Sequence, residues 1–304
     1  MTDLSASEGG TPEWLRHKER GAAWSIRLGV HLALGLGRRA ARLFLPLGCL
    51  YFLLCAAEGR RASRDYLDRA LGRRAGLWDV FRHYLTFGAC ILDRVFFLKG
   101  QMDLFDIRII GEDLLIDHLK RRDGCFLLGA HIGSFEVLRA AGREHPDLRI
   151  NMLMFEENAR KISAVLSEIA PDIAKEIISL GRPESFIRTS HALDRGNFVG
   201  LLADRSLSSD HQVRLPFLDA PAPFSLGAFR MMALLKKPVL LMFGLYRGGN
   251  RYDIHIERFS MPEDLPQRAG SADIEALVAR YAGRLEHYCR AAPYNWFNFY
   301  KFWE

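Results

Sequence analysis

The 304-residue chain has 5 cysteines, Cys49, Cys55, Cys90, Cys125 and Cys289, and none of them forms a C-x-x-C pair. An odd set of thiols, mostly in apolar stretches, excludes a disulfide or zinc framework and reads as reduced core cysteine in a cytoplasmic protein. H-E-x-x-H, the P-loop and a strand-turn G-x-G-x-x-G are all missing, so no metal and no nucleotide or redox cofactor is expected. The sequence around Ser134 is HIGSFE, which lacks the G-x-S-x-G elbow of the α/β-hydrolases. Neither an internal repeat nor a low-complexity segment is present. No charged n-region leads into an apolar stretch with a cleavage site, so no signal peptide is expected and the bulk of the protein is placed in the cytoplasm.

What is present is an ordinary globular composition, 49% apolar and 26% charged, with a length that allows one large or two small domains. The net charge of +6 is local: residues 1–75 hold 13 Lys and Arg against 7 Asp and Glu, and the remainder is balanced at 29 of each. Basic residues beside apolar runs point to an anionic membrane surface, and nucleic acid is not expected as a partner. The run Leu43 to Ala57 is 15 uncharged residues, about 22 Å as a helix against about 30 Å of hydrocarbon. It is flanked by Arg38, Arg39 and Arg42 before and Arg60, Arg61 and Arg64 after, which fits a monotopic anchor on the cytoplasmic face better than a crossing helix or a buried core helix. Two units follow: residues 1–75, basic and apolar membrane-associating helices, and residues 76–304, an α/β domain.

After an aromatic helical stretch, Leu77 to Leu98, short apolar runs alternate with amphipathic segments. Gly124 to Ala130, Arg149 to Phe155, Asn197 to Ala203, Pro238 to Tyr246 and Tyr252 to Glu257 read as strands; Gly133 to Gly142, Asn158 to Ala170, Glu184 to Asp194 and Phe224 to Leu235 read as helices. The expected class is α/β, a central mostly parallel sheet flanked by helices, with the helical membrane-associating segment at its N-terminus.

Sites in such sheets lie at the carboxyl ends of strands. GCFLLGAHIGSFEVLRAAG places His131 there and Glu136 five positions later, an H-x4-E spacing. A histidine beside a helix N-terminus stays neutral, as a general base must, and Glu136 in the first turns can hold its tautomer. A packed His with a dipole-stabilised Glu has the same spacing. A second H-x4-[DE], His118 with Asp123, lies in a polar helix end and reads as a solvated C-terminus.

The residues resemble the lysophospholipid acyltransferase-like superfamily, in particular the branch of the bacterial lipid A late (lauroyl/myristoyl) acyltransferases. Four ordered blocks carry the likeness over roughly residues 14–303: the apolar N-terminus followed by a strand ending in H-x4-E; GNFVGLLADRS; VRLPFLDAPAPFSLGAFRMMALLKKPVLLMF; and APYNWFNFYKFW. The resemblance implies transfer of a fatty acyl chain from a thioester, on acyl carrier protein or coenzyme A, to a hydroxyl of a lipid acceptor at the cytoplasmic face of the inner membrane. His131 would take the acceptor's proton and Glu136 would orient it. The N–H groups of Gly133 and Ser134 would face the oxyanion, Asp204 and Arg205 would lie near the site, and Arg160 is the candidate for the family's acceptor-phosphate arginine. The early positions of that block hold Glu156, Glu157 and Asn158, so a surface Arg160 paired along a helix stays open. The same holds for a structural Asp204–Arg205 pair. His191 and His211 read as surface groups, and the terminal aromatics as core packing in preference to bilayer contact. A monomer is expected. A lysophospholipid, amino-acid lipid or specialised lipid acceptor, a thioesterase, and a non-catalytic lipid-binding protein are the competing readings.

Overall fold

A computed structural model describes residues 23–140, 145, 147–155, 176–180, 183–205, 211–266 and 271–304. Seven strands, β1 (Asp106–Ile110), β2 (Cys125–Gly129), β3 (Ile150–Phe155), β4 (Ile177–Leu180), β5 (Phe198–Leu202), β8 (Val239–Gly248) and β9 (Arg251–Ser260), form one sheet in the order β1-β9-β8-β2-β5-β3-β4. Every neighbouring pair is parallel except the β8–β9 hairpin. The class is the α/β sheet expected from the alternation of apolar runs.

The central strands are apolar on both faces because both faces are covered. Phe126 and Leu128 of β2 join one cluster with Tyr281 and Leu285 of α7 (Ser271–Ala291) and with Tyr66 and Leu67 of α2 (Ala57–Leu71). Cys125 and Leu127 face the other cluster, with Phe96 and Phe97 of α3 (Leu77–Leu98) and Leu115 of α4 (Glu112–Arg121).

Four strands were not apparent from the apolar runs. β1 alternates between exposed and half-buried residues because it is a sheet edge, and β4 has only four residues. β6 (Gln212–Phe217) and β7 (Ala220–Ser225) pair as a separate two-stranded ribbon despite Pro216, Pro221 and Pro223. Such a ribbon has an outward edge on each strand, where a missing N–H costs nothing. Phe224, expected in a helix, therefore belongs to β7, and α6 begins at Gly227 (Gly227–Leu235). The helix Glu184 to Asp194 is α5 (Pro183–Asp194), whereas the one expected at 158–170 lies outside the described residues.

The N-terminal helix α1 (Ala23–Cys55) breaks at Gly37, which has φ 79°. No single described helix is long and apolar enough to cross a membrane; Ala33–Cys55 with α2 passes that test only as a pair bent by 98°. One face of α1 packs on α3, and the other exposes Leu43 (77%), Phe44, Leu47, Tyr51 and Leu54, with Trp78 (67%) at the start of α3. Two flanking cations do not face outward. Arg38 grips the fully buried Asp93 of α3 with two 2.8 Å bonds and Gly249 O at 2.6 Å, and Arg42 reaches Gly249 O and the Tyr246 hydroxyl. Both turn inward to dock α1 on the α3 and β8–β9 surface, where Asp93 also accepts from Arg42 Nη1 at 3.4 Å and from the Tyr252 hydroxyl at 2.9 Å.

Candidate active site

β2 and β5 are adjacent, parallel and in register, with Gly129 opposite Leu202. Two residues beyond that last pair stand His131 on one strand and Asp204 on the other, so the topology alone sets them side by side at the carboxyl edge. His131 Nδ1 lies 2.8 Å from Asp204 Oδ1, and the His131 backbone N–H donates to Oδ2 at 3.0 Å. The indole of Trp296 donates to the same Oδ2 at 2.8 Å. Asp204 is thus a carboxylate with three donors and a side chain 1% exposed, while His131 remains 31% exposed.

Burial opposes the charge on Asp204, but His131, Arg205 and the Trp296 indole outweigh it and hold the carboxyl at about 2. For His131, burial first and the charge of Arg205 next lower the pKa, against the pull of Asp204. Near neutrality the pair is therefore an ionised Asp beside a neutral imidazole. An ionised carboxylate only accepts, so Nδ1 carries the proton and Nε2 presents a lone pair. That arrangement can take a proton from a hydroxyl.

Glu136 stands elsewhere. The expected helix Gly133 to Gly142 is described only to residue 140, where it is a 3-10 turn, Glu136–Ala140. Glu136 Oε1 meets Arg94 of α3 at 2.5 Å, and Ser134 Oγ donates to Oε2 at 3.4 Å. No hydrogen bond joins His131 to Glu136 among the described residues; the carboxylate bonded to the imidazole is Asp204. Arg94 still touches the site electrostatically, because its charge also lowers the His131 pKa.

The N–H groups expected to face an oxyanion are already used. Gly133 N–H donates to Asn295 O and Ser134 N–H to Gly244 O, both at 2.8 Å, so neither is free for a ligand. These bonds explain the glycines. Gly133 has φ 57°, and a Cβ there would sit 2.0 Å from Gly244 O; a Cβ on Gly244 would sit 2.2 Å from Ser134 O. The chain leaving β2 is pinned against β8 and needs a glycine on each side.

Arg205 lies beside the pair. Its guanidinium donates to Phe297 O at 3.2 Å and sits over the Tyr300 ring at 5.8 Å, and no ion pair ties it to a carboxylate among the described residues. Arg160 lies outside the described residues. His118 is buried on α4, not solvated, with Nδ1 4.0 Å from Asp123, at the end of the helix that leads into the start of β2 and so opposite the site.

Sequence reasoning took Trp296 and Phe297 as terminal core aromatics and did not place at the site the segment Asn295 to Phe297. Its carbonyl and amide groups meet Gly133 and His131, with Phe297 N–H on His131 O at 2.8 Å, its indole meets Asp204, and the Asn295 side chain clamps both backbone groups of Tyr246. Trp296 is a core residue, as expected of the terminal aromatics, and a hydrogen-bond donor as well.

A family model described as bacterial lipid A biosynthesis acyltransferase matches residues 95–304, which include every residue of this site except Arg94. The chain belongs to that family. Membership makes it an acyltransferase, in a family of lipid A biosynthesis that is generally membrane-associated. Among curated proteins, none matches the chain. The β2 end carrying His131, the β5 end carrying Asp204 and the Asn295 to Phe297 segment are the parts of the family match that converge in space.

Proposed function

We propose that the protein moves a fatty acyl chain from a thioester, carried by acyl carrier protein or coenzyme A, to a hydroxyl of a lipid A precursor at the cytoplasmic face of the inner membrane. The observation that carries the reading is the His131–Asp204 pair, with Nδ1 engaged and Nε2 without a hydrogen bond among the described residues, at the carboxyl end of the sheet. In this reading Nε2 removes the acceptor's hydroxyl proton as the oxygen attacks the thioester carbonyl. The tetrahedral adduct then collapses, the C–S bond breaks and the sulfur leaves as thiolate, which takes the proton from the imidazolium. Direct attack needs no covalent acyl-enzyme, and a thiolate leaves without a strong acid.

Asp204 keeps the tautomer and stabilises the imidazolium. Glu136 balances the charge of Arg94, so that the field on His131 does not depress its basicity further. With the N–H groups of Gly133 and Ser134 committed, Arg205 is the group assigned to developing negative charge, on the thioester oxygen or on a phosphate of donor or acceptor. The exposed apolar face of α1 with Trp78 is assigned to the interfacial layer of the bilayer, where the acceptor lies.

The test is thioester consumption by detergent-solubilised protein with labelled acyl-CoA and acyl carrier protein, run with and without a bacterial lipid extract and followed by mass analysis. Consumption that depends on lipid and yields an O-acylated lipid A precursor is expected. A different acylated lipid would overturn the acceptor, and consumption without a lipid product would overturn transfer in favour of hydrolysis.

A further inference from the structure

Buried hydrogen bonds continue from the His131–Asp204 pair into the N-terminal helices. Trp296, which gives its indole N–H to Asp204, accepts at its carbonyl from His83 Nε2 at 2.8 Å. His83 Nδ1 lies 2.8 Å from Ser63 Oγ. Ser63 belongs to α2 and His83 to α3, and both are fully buried. We propose that His83 is a positioning residue for the reaction, acting through Trp296 on Asp204 and so on His131. This rests on the reading that His131 is the base.

The chemistry of each link sets the direction of the chain. A carbonyl only accepts, so His83 carries its proton on Nε2 and accepts a hydrogen bond from the Ser63 hydroxyl at Nδ1. The ring is therefore a neutral fixed tautomer, consistent with a pKa that burial lowers to about 4. Among the described residues no charged group faces it. Its neighbours are Ser63 and the Tyr66 ring on α2, the rings of Phe297 and Phe299, and the Trp296 carbonyl. His83 is thus the side-chain bond on a peptide whose carbonyl also accepts from Asn298 N–H at 2.9 Å and whose N–H meets His131 O at 2.8 Å, and it tunes from the helical side the seat of the Trp296 indole.

Losing that N–H has a defined sign at the base. Asp204 would keep only its two donors from His131, its charge would be less dispersed, and it would hold the imidazolium more tightly. Among the described residues the charged groups that act on His131 are Asp204 and Arg205 after β5 and Arg94 on α3, and only the first is disturbed. The His131 titration then moves up, and the acid limb of kcat moves with it.

The experiment uses the full chain in detergent with three variants. His83→Phe removes the N–H at similar size, His83→Gln restores an N–H near the Nε2 position, and Trp296→Phe removes the indole donor. NMR of ring-labelled histidine follows the His131 titration, and acyl transfer gives kcat and KM. We expect His83→Phe and Trp296→Phe to raise the His131 midpoint by roughly half a unit or more and to lower kcat about 10-fold, with KM unchanged. His83→Gln should recover most of both. Unchanged midpoint and kcat in His83→Phe and Trp296→Phe would overturn the proposal, as would a His83→Gln variant as impaired as His83→Phe. Should His83→Phe not fold, His83→Met takes its place in both readouts, and an unchanged His131 midpoint and kcat in it would overturn the proposal. The titration needs no turnover, so a shifted midpoint beside normal transfer by His131→Ala would sink the base assignment while leaving the coupling intact.

Discussion

Replacing Asp204 by Asn changes one atom and reverses the chemistry of the pair. The carboxylate accepts three hydrogen bonds, two at Oδ2 and one at Oδ1. An amide has one accepting oxygen, and the favourable placement puts it where two donors converge, on the His131 N–H and the Trp296 indole. Its NH2 group then faces Nδ1, which must accept. The imidazole proton is forced to Nε2, and the lone pair that should take the acceptor's proton is gone. The same carboxylate-to-amide change in a Ser-His-Asp triad costs about 10⁴ in kcat through the wrong tautomer, and we expect a loss of about 10³ or more here, equivalent to about 4 kcal/mol of barrier. Stability should fall less, because every donor but one keeps a partner. The assay is kcat for acyl transfer to lipid at saturating donor, with a thermal melt of each preparation. Glu136→Gln, run beside it, should cost only about 10-fold, by leaving Arg94 unbalanced and lowering the His131 pKa. Wild-type kcat in Asp204→Asn, or a larger loss in Glu136→Gln than in Asp204→Asn, would refute the reasoning and return the orienting role to Glu136.

Four further outcomes follow from separate parts of the structure. Gly133→Ala should lower the melting temperature by several degrees and abolish transfer, since its Cβ would meet Gly244 O at 2.0 Å. Gly283→Ala, in open space on α7, should raise stability by about 0.5–1 kcal/mol, and a rise in Gly133→Ala as well would contradict the pinned strand exit. His83, neutral in the fold down to about pH 4, should make stability fall on acidification. Its folded pKa lies below the ordinary 6.5, so its contribution is complete above pH 6.5 and is lost as pH falls toward 4, at about 1.4 kcal/mol per unit and about 3 kcal/mol in all. His83→Gln should flatten that slope in a melt series, and an unchanged slope would mean that the buried neutral ring is not its source. Leu47→Ser with Leu54→Ser should weaken binding to vesicles containing anionic lipid by about 30-fold, from about 1 kcal/mol of apolar burial per side chain. Undiminished sedimentation with vesicles would place the membrane contact elsewhere.

The central strands were legible because a strand covered on both faces has to be apolar throughout, as β2 and β5 are. β1 and β4 were not, since an edge strand carries half the apolar residues and β4 is too short to show a period. His131 was legible as the residue at which an apolar run ends. Its partner was harder to see, because spacing along the chain draws attention to Glu136 whereas the sheet pairs residues from strands about 70 positions apart. The signal was present in the matched endings LLGAH and GLLAD, which become neighbours once the two runs are taken as adjacent parallel strands in register. Trp296 could not have been assigned in this way, because composition does not say which core indole will find a carboxylate. The arginines before Leu43 show the same limit. Sequence gives their charge, but only the buried Asp93 turns Arg38 and Arg42 inward.

The most direct test of the account is the rate of lipid ester formation by His131→Ala, with its melt matched to the parent protein. Loss of the lipid product by about 10² or more in the folded variant is the predicted result. Transfer at the parent rate would contradict the account at its centre, whichever carboxylate stands behind the imidazole.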